Sequence, residues 1–354
     1  MPNETTNNKY KIALFSEVYG KAGTGGTTSR HYNIAKVLKS NNIDFKVFGF
    51  NPDQVHDDYK LPEAVGGIPL NLSEYNIFWV EQGFRTIYDL NTKGIFPILG
   101  CNLIPNSASQ HCLPYLDEAG LKRQESSIIN EKRWMATLKG KFWCSQSFFQ
   151  EKEYKRLGLP FNEKVYRLNN PVNTKIFKPS DRIRDKKFKI AWVGKGNWAK
   201  APWILKKIAE ALPEMEFHYI SNEPCQTKFP SNVKLVLNNE NSVMPKLLNE
   251  CDLFISTSVT ENQALGVLEA MSCGLPIICF RTSGQPEIVI HDWNGYLVDL
   301  GNTEHFINEI KRMEADDLRR INFGINNREY ILKNFSFDAC FEQYKEIWDI
   351  YLGE

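Results

Sequence analysis

Two glutamates stand eight residues apart in Glu261–Gly274 (ENQALGVLEAMSCG), and two lysines stand five apart in Val193–Leu205 (VGKGNWAKAPWIL). On one continuous helix Glu261 and Glu269 would be separated by roughly 12 Å of rise, too far to grip one atom. Asn262–Gly266 reads instead as a loop running into a helix near Gly266–Cys273, with Glu261 ahead of the helix and Glu269 inside it. A carboxylate in the inner position can accept a pair of hydroxyls, as in ribose recognition. The backbone N–H groups of Gln263, Ala264 and Leu265 would then face an anion or a polyol. An ordinary amphipathic helix with two solvated glutamates fits the same letters. Lys195 and Lys200 flank a short loop after a strand that ends at Gly194. Two ammonium groups at the carboxyl end of a parallel strand can clamp a diphosphate; two solvated lysines are the plainer alternative. Near the front, Gly20–Ser29 (GKAGTGGTTS) includes Gly25 and Gly26. Glycines let backbone N–H groups approach a ligand closely, and a helix N-terminus follows. The spacing matches neither the dinucleotide fingerprint nor the Walker loop, and a tight turn would explain the glycines equally well.

These residues need a scaffold, and the apolar pattern supplies one. Lys11–Phe15 (KIALF), a helix over Arg30–Ser40 with Tyr32, Ala35 and Leu38 at helical spacing, and Asp44–Phe50 form a strand–helix–strand unit. Further strands are predicted at Asn76–Val80, Phe96–Cys101, Lys141–Ser145 and Val165–Leu168, with helices around 127–139 and 146–157. Asn169–Lys189 carries two prolines and a charge run and reads as an interdomain connector. The alternation resumes at Phe188–Gly194 and continues through Glu216–Ile220, Val233–Leu237, Leu253–Ser256 and Pro276–Phe280. This pattern implies two doubly wound α/β domains with parallel sheets. Phe335–Leu352 is an amphipathic helix, with Ser336 as its N-cap and Phe341, Tyr344, Ile347, Trp348 and Tyr351 on one face.

The chain has 354 residues, 42% of them hydrophobic and 24% charged, which fits two globular domains rather than disorder. Lys plus Arg number 43 against 42 Asp plus Glu, so no strong field marks a nucleic-acid or anionic-membrane partner. No apolar run is long enough to span a bilayer, and Met1–Lys9 is polar, a loose tail without the core of a signal peptide. None of the eight cysteines forms a C-x-x-C pair, so no metal site is expected. Cys144, Cys251, Cys273 and Cys279 lie in apolar segments and read as buried thiols of a cytoplasmic protein.

Taken together, the ordered segments resemble the retaining GT-B glycosyltransferases of family four. Leu168–Pro179 (LNNPVNTKIFKP) resembles that family's interdomain stretch. Lys195 and Lys200 match its paired basic residues, and Glu261 with Glu269 match its E-x7-E motif. Thr282–Val289 (TSGQPEIV) and Asn294–Val298 (NGYLV) match the segments that follow, and Gly25–Leu38 resembles its glycine-rich loop and first helix. The resemblance implies an acceptor domain over 1–170, a linker over 171–187, a nucleotide-sugar donor domain over 188–334, and a terminal helix over 335–354 crossing back to the first domain. Two Rossmann-like domains would face a cleft.

The resemblance also implies roles. Glu269 would bind the donor ribose and Glu261 the transferred sugar. Lys195 and Lys200 would neutralise the leaving UDP or GDP, with no metal or other cofactor. Gly25, Gly26, Gly194, Gln263, Ala264, Leu265 and Leu237, the last closing the strand Val233–Leu237, would complete the donor site. The acceptor would carry a free hydroxyl, on a small molecule, a glycan, a lipid-linked sugar or, less in keeping, modified DNA. Three departures stand out. Pro171 follows Asn170 where the family usually has glycine. Asn102 takes the place of a cleft histidine, with His111 nearby. Asn262 and Gln263 replace the usual small and aromatic pair. A nucleotide-sugar-binding protein without turnover, or an epimerase, would share this architecture.

Overall fold

A computed structural model describes residues 9–20, 26–55, 57–69, 71–100, 139–157, 164–180, 187–237 and 242–353, with scattered positions between 114 and 129. The predicted tail before Lys9 lies outside the described residues, as does most of the helix expected over 127–139. The chain forms two compact units. The first comprises Met1–Ser107, Glu125–Pro171 and Phe337–Glu354; the second comprises Ala108–Gln124 and Val172–Ser336.

In the first unit the elements are β1 (Lys11–Ser16), α1 (Gly26–Ser40), β2 (Asp44–Phe48), β3 (Ile77–Gln82), α2 (Phe84–Thr92), β4 (Ile98–Leu99), β5 (Phe142–Ser145), α3 (Phe148–Leu157) and β6 (Val165–Arg167). The strands pair in parallel in the order β2-β1-β3-β4-β5-β6. Successive side chains of β1 go to opposite faces: Ile12 and Leu14 join one core, Ala13 and Phe15 the other. Burial on both faces explains why the strand is a continuous apolar run rather than an alternating one.

α1 begins at Gly26, ahead of the predicted start, and its burial is less apolar than the helical spacing suggests. Arg30, His31 and Asn33 are buried beside Ile34, Ala35, Val37 and Leu38. The reason is Glu81 on β3. Its carboxylate accepts from Arg30 Nε at 3.1 Å, Arg30 Nη2 at 3.2 Å and Trp79 Nε1 at 2.9 Å. A buried carboxylate is tolerated when paired and hydrogen-bonded in this way. Gly100 makes room for it, since a Cβ there would sit 2.6 Å from the carboxylate carbon of Glu81. Burial, helped by Arg30 and opposed by Glu81, depresses the His31 imidazole to about 4, so it stays neutral.

The last helix, α9 (Phe337–Leu352), belongs to the first unit. Trp348 is fully buried, with ring centroids 5.2 Å from Tyr10, 6.4 Å from Trp79 and 6.1 Å from Tyr344. The Tyr10 hydroxyl donates to Asp349 at 2.6 Å and locks the helix to the start of β1.

The second unit contains β7 (Lys189–Val193), α4 (Pro202–Ala211), β8 (Glu216–Ser221), β9 (Val233–Leu237), α5 (Met244–Asn249), β10 (Leu253–Ser256), α6 (Leu265–Ser272), β11 (Ile277–Phe280), β12 (Gly295–Val298), α7 (Thr303–Ala315) and α8 (Asp317–Asn334). Its sheet is again parallel, in the order β12-β11-β10-β7-β8-β9. α4 and α7 cover one face over Ile190, Trp192, Ile278 and Phe280. α6 and α8 cover the other over Ala191, Phe254, Ile277 and Cys279.

The connector expected over 171–187 is shorter than its composition suggests. Val172 and Phe177 are buried in the second unit's core. Ser272 Oγ donates to the Phe177 carbonyl at 2.6 Å, and Arg328 Nη2 donates to the Thr174 carbonyl at 2.9 Å. These two apolar residues and their satisfied carbonyls outweigh the polar composition around them. Where the chain leaves and re-enters the unit, Val172 pairs with Ser336.

Trp348→Ala should cost the first unit about 3–5 kcal/mol, the range for removing a buried tryptophan. Denaturant unfolding followed by tryptophan fluorescence would show an early transition in the variant. Coincident unfolding curves for variant and wild type would contradict the packing.

Candidate active site

In the second sheet, chain order reverses between β7 and β10: β8 and β9 extend to one side, β11 and β12 to the other. Loops leaving the carboxyl ends of two such strands diverge and open a crevice, the usual ligand position in doubly wound folds. The Lys195–Lys200 loop leaves β7 here, and the loop carrying Glu261 leaves β10.

The structure brings Lys200, Glu261 and Gly194 together. Lys200 Nζ forms an ion pair with Glu261 Oε1, the side chains being 25% and 12% exposed. The Lys200 stem runs across Gly194, where a Cβ would come within 3.1 Å of Lys200 Cγ and Cδ. A side chain at position 194 would crowd the lysine stem. Lys195 is held more loosely, 3.9 Å from Glu223. The two lysines thus have separate acidic partners rather than a shared one.

The residues from Ser256, the last of β10, onward alternate as strand residues do. Thr257 and Val259 secure the lysine loop. Thr257 Oγ1 donates to the Lys200 carbonyl at 2.8 Å and accepts from Trp192 Nε1 at 2.9 Å, while the Val259 N–H donates to the Ala199 carbonyl at 2.9 Å. Ser256 and Ser258 serve the Glu261 side instead: their hydroxyls lie 3.1 Å apart, and Ser258 Oγ lies 3.5 Å from Glu261 Oε1. The turn after β11 clamps the same loop. Thr282 Oγ1 donates to the Val259 carbonyl at 2.9 Å, Ser283 Oγ to Thr260 Oγ1 at 3.2 Å, and the Gly284 N–H to the Glu261 carbonyl at 2.8 Å. Thr282 and Ser283 lie in the matched segment Thr282–Val289, whereas Ser256, Thr257, Ser258 and Thr260 were not picked out as site residues by sequence reasoning. The signal available was the hydroxyl run STSVT between an apolar strand and an acid.

Glu269 lies inside α6, with Glu261 ahead of it in the loop. Ala264 is the N-cap and offers no side-chain cap, and the first turn of the helix has no acid. Such a terminus leaves N–H groups open to an anion. Gly266 brings it against β7, where an added Cβ would sit 3.5 Å from Val193 Cβ. Gln263, Ala264 and Leu265 are all buried. Glu269 itself is 6% exposed, and among the described residues no group hydrogen-bonds its carboxylate. Burial pushes its pKa from the usual 4.5 to about 8.

Leu237 lies apart. It ends the edge strand β9, two strands from β7 and so about 10 Å to the side, and is 62% exposed. Gly26 is exposed at the start of α1 in the first unit. Gly25, Asn102 and His111 lie outside the described residues.

Residues 174–330 match the family described as Glycosyl transferases group 1, a span that fills nearly the whole second unit. The second unit belongs to that family. The chain is 33% identical over 103 residues to N-acetyl-alpha-D-glucosaminyl L-malate synthase of Bacillus anthracis, covering 29% of this chain and 27% of that protein. It is 27% identical over 139 residues to the UDP-Gal:alpha-D-GlcNAc-diphosphoundecaprenol alpha-1,3-galactosyltransferase of Escherichia coli, covering 39% and 34%. The chain thus spans about a quarter to a third of the length of these curated relatives. Solved structures share the fold over almost the whole chain. Sucrose-phosphate synthase from Thermosynechococcus elongatus has a TM-score of 0.76 at 16% identity, covering 98% of this chain and 100% of its own. Anabaena HepE in complex with UDP-glucose has a TM-score of 0.69 at 14% identity, covering 96% and 100%. The group 1 domain and the unit joined to it therefore have the GT-B fold class. No helix among the described residues is long and apolar enough to cross a membrane, and no described cluster of His, Cys, Asp and Glu suits a metal ion.

The raised Glu269 pKa has a consequence for stability. The folded domain holds a proton that the unfolded chain releases near 4.5, so the folded state binds more protons between there and about 8. Stability contributed by the neutral carboxyl is present below 4.5 and is lost as the pH rises through about 8. Glu269→Gln should remove this dependence: equal to wild type at pH 4, the variant should melt progressively higher than wild type toward pH 8. Parallel melting-temperature profiles for the two would show that the carboxyl is not buried neutral.

Proposed function

We propose that this protein is a glycosyltransferase that moves a sugar from a nucleoside-diphosphate sugar to an acceptor hydroxyl and retains anomeric configuration. The observation that carries the reading is Glu269, a buried carboxylate with no hydrogen-bond partner among the described residues, set just behind an uncapped helix terminus at the sheet's switch point. A carboxylate so placed is costly unless a ligand supplies donors, and ribose hydroxyls are suitable donors. The HepE complex with UDP-glucose and the UDP-Gal named for the Escherichia coli relative support a nucleotide sugar as that ligand.

Glu261 meets the transferred sugar and orients its anomeric carbon. Its Oε1 is taken by Lys200, and Oε2 is the oxygen left for a substrate hydroxyl. Lys195 and Lys200, with the open N–H groups of α6, stabilise the diphosphate. Bond cleavage adds negative charge to the leaving phosphate, so fixed positive groups gain more in the transition state than in the ground state. The reading assigns this task to the ammonium groups and to no metal. On a retaining course, the departing phosphate oxygen can itself take the acceptor's proton on the face it leaves. The acceptor, a small molecule, a glycan or a lipid-linked sugar, meets the first unit. A reducing cytoplasm suits the buried thiols Cys144, Cys251, Cys273, Cys279 and Cys340.

A thermal-shift and calorimetric screen of UDP, GDP and their sugars tests the reading, followed by turnover with the donor that binds. Glu269→Gln should weaken nucleoside-diphosphate binding about tenfold to a hundredfold, the loss of ~1.5–3 kcal/mol expected for bonds to a carboxylate that the bound ribose hydroxyls draw into its charged form. Unchanged affinity would take Glu269 out of the site. Stabilisation by nucleotide sugar without turnover, acceptors included, would make the protein a binder.

The lysines give a second test. Lys200→Ala strands the partly buried Glu261 and should lower stability as well as rate. Lys195→Ala is the cleaner probe, because its partner lies at 3.9 Å. It should cut turnover by on the order of a hundredfold with little change in melting temperature. Wild-type turnover in both variants at saturating donor would remove the leaving-group clamp.

A further inference from the structure

Gln285 is 1% exposed, in the turn after β11. Its Nε2 donates to Ser256 Oγ at 3.3 Å, and its Oε1 has no partner among the described residues. A buried amide half-satisfied in this way lowers stability, and an apolar side chain of the same shape would do as well or better. Such groups call for an explanation other than folding.

The bonds beyond Gln285 provide one. Ser256 Oγ donates to Ser258 Oγ at 3.1 Å, and Ser258 Oγ faces Glu261 Oε1 at 3.5 Å. Every donor in the series points the same way, from the amide N–H through two hydroxyls to a carboxylate. With the amide turned over, Ser256 would donate back to Gln285 and the series would no longer run to Glu261. Hydrogen bonds aligned head to tail polarise one another. Glu261 Oε1 thus has two holders, Lys200 from the β7 loop and Ser258 from the β10 loop, while its backbone carbonyl is fixed by the Gly284 N–H beside Gln285. Without the serine, the ion pair alone would leave the carboxylate free to swing about the flexible lysine.

We propose that Gln285 and Ser256 are positioning residues for Glu261, fixing through Ser258 which carboxylate oxygen stays on Lys200 and which is offered to the transferred sugar. The proposal rests on the reading of Glu261 as the carboxylate that meets that sugar. It separates two properties of the site. The relay governs the sugar end, whereas α6 and Glu269 govern the nucleotide end.

Gln285→Met, Ser256→Ala and Ser256→Thr test it in the full chain, with UDP or GDP as the binding probe and the corresponding nucleotide sugar as donor. Gln285→Met keeps the shape and removes the amide, so its melting temperature should equal or exceed that of wild type. Gln285→Met and Ser256→Ala should bind nucleoside diphosphate within about twofold of wild type and lose about tenfold to a hundredfold in kcat, the penalty for a misplaced catalytic group. Ser256→Thr, which keeps the hydroxyl, should recover most of the rate. Wild-type kcat in both disrupting variants overturns the proposal. So does a fall in nucleotide affinity and melting temperature matching the fall in rate, since that marks a merely structural role. If the wild type itself binds no nucleotide, the glycosyltransferase reading fails first, and the relay falls with it.

Discussion

The parallel pairing of β7 with β10 is the constraint on which the second unit's chemistry depends. These strands are neighbours in the sheet, Leu253 beside Ile190 and Phe254 beside Ala191, yet more than sixty residues apart in sequence. Their successors lie on opposite sides, so the loops above them part. The β10 loop then ties back to both neighbouring loops: Thr257 and Val259 to the one after β7, and Val259, Thr260 and Glu261 to the one after β11. Ala201 shows the tension in this arrangement. It holds a positive φ of 48° with a buried β-carbon, a conformation costing about 1–3 kcal/mol that persists where surroundings over-determine it.

Two glutamates of the same motif end in opposite electrostatic settings. Glu261 lies at the surface of the crevice, matched by an ammonium group and a hydroxyl. Glu269 is enclosed by the apolar core that α6 shares with β10 and β11, and no group among the described residues offsets its charge. Environments that separate the protonation behaviour of paired acids commonly mark different tasks. One carboxylate is held by Lys200 and Ser258 at the crevice, and the other becomes an acceptor only when something in the crevice provides donors.

Much of this was legible from the sequence because doubly wound strands, buried on both faces, stand out as short apolar runs. β9 and β10 have their predicted limits, and most others shift by a residue or two. β12 escaped because it is brief and opens on Gly295, which is required where a Cβ would press to 2.3 Å on the Ile277 carbonyl. The E-x7-E spacing revealed a loop followed by a helix. The partnership of Lys200 with Glu261 did not show, because it joins positions 61 residues apart through the β7–β10 pairing. Arg30 and His31 were illegible for the same reason: their burial rests on Glu81, 51 residues beyond Arg30. Serines 256 and 258 carry no signal by themselves, since a hydroxyl in an apolar run is as often an inert packing residue.

The return of α9 to the first unit also sets an order of events during synthesis. Domains generally fold as the chain emerges, the N-terminal one first. Here that order is disturbed. Trp348 and Tyr344 fill the core beside Trp79 and Tyr10, so the first unit lacks a wall until residues 337–352 have been made. The second unit, Ala108–Gln124 with Val172–Ser336, is complete once Ser336 is made and can close before its predecessor does. The ribosome thus delivers the second half as the earlier finished piece, and the first half spends that interval with an aromatic groove uncovered. Chaperone demand should therefore centre on the N-terminal half of this chain.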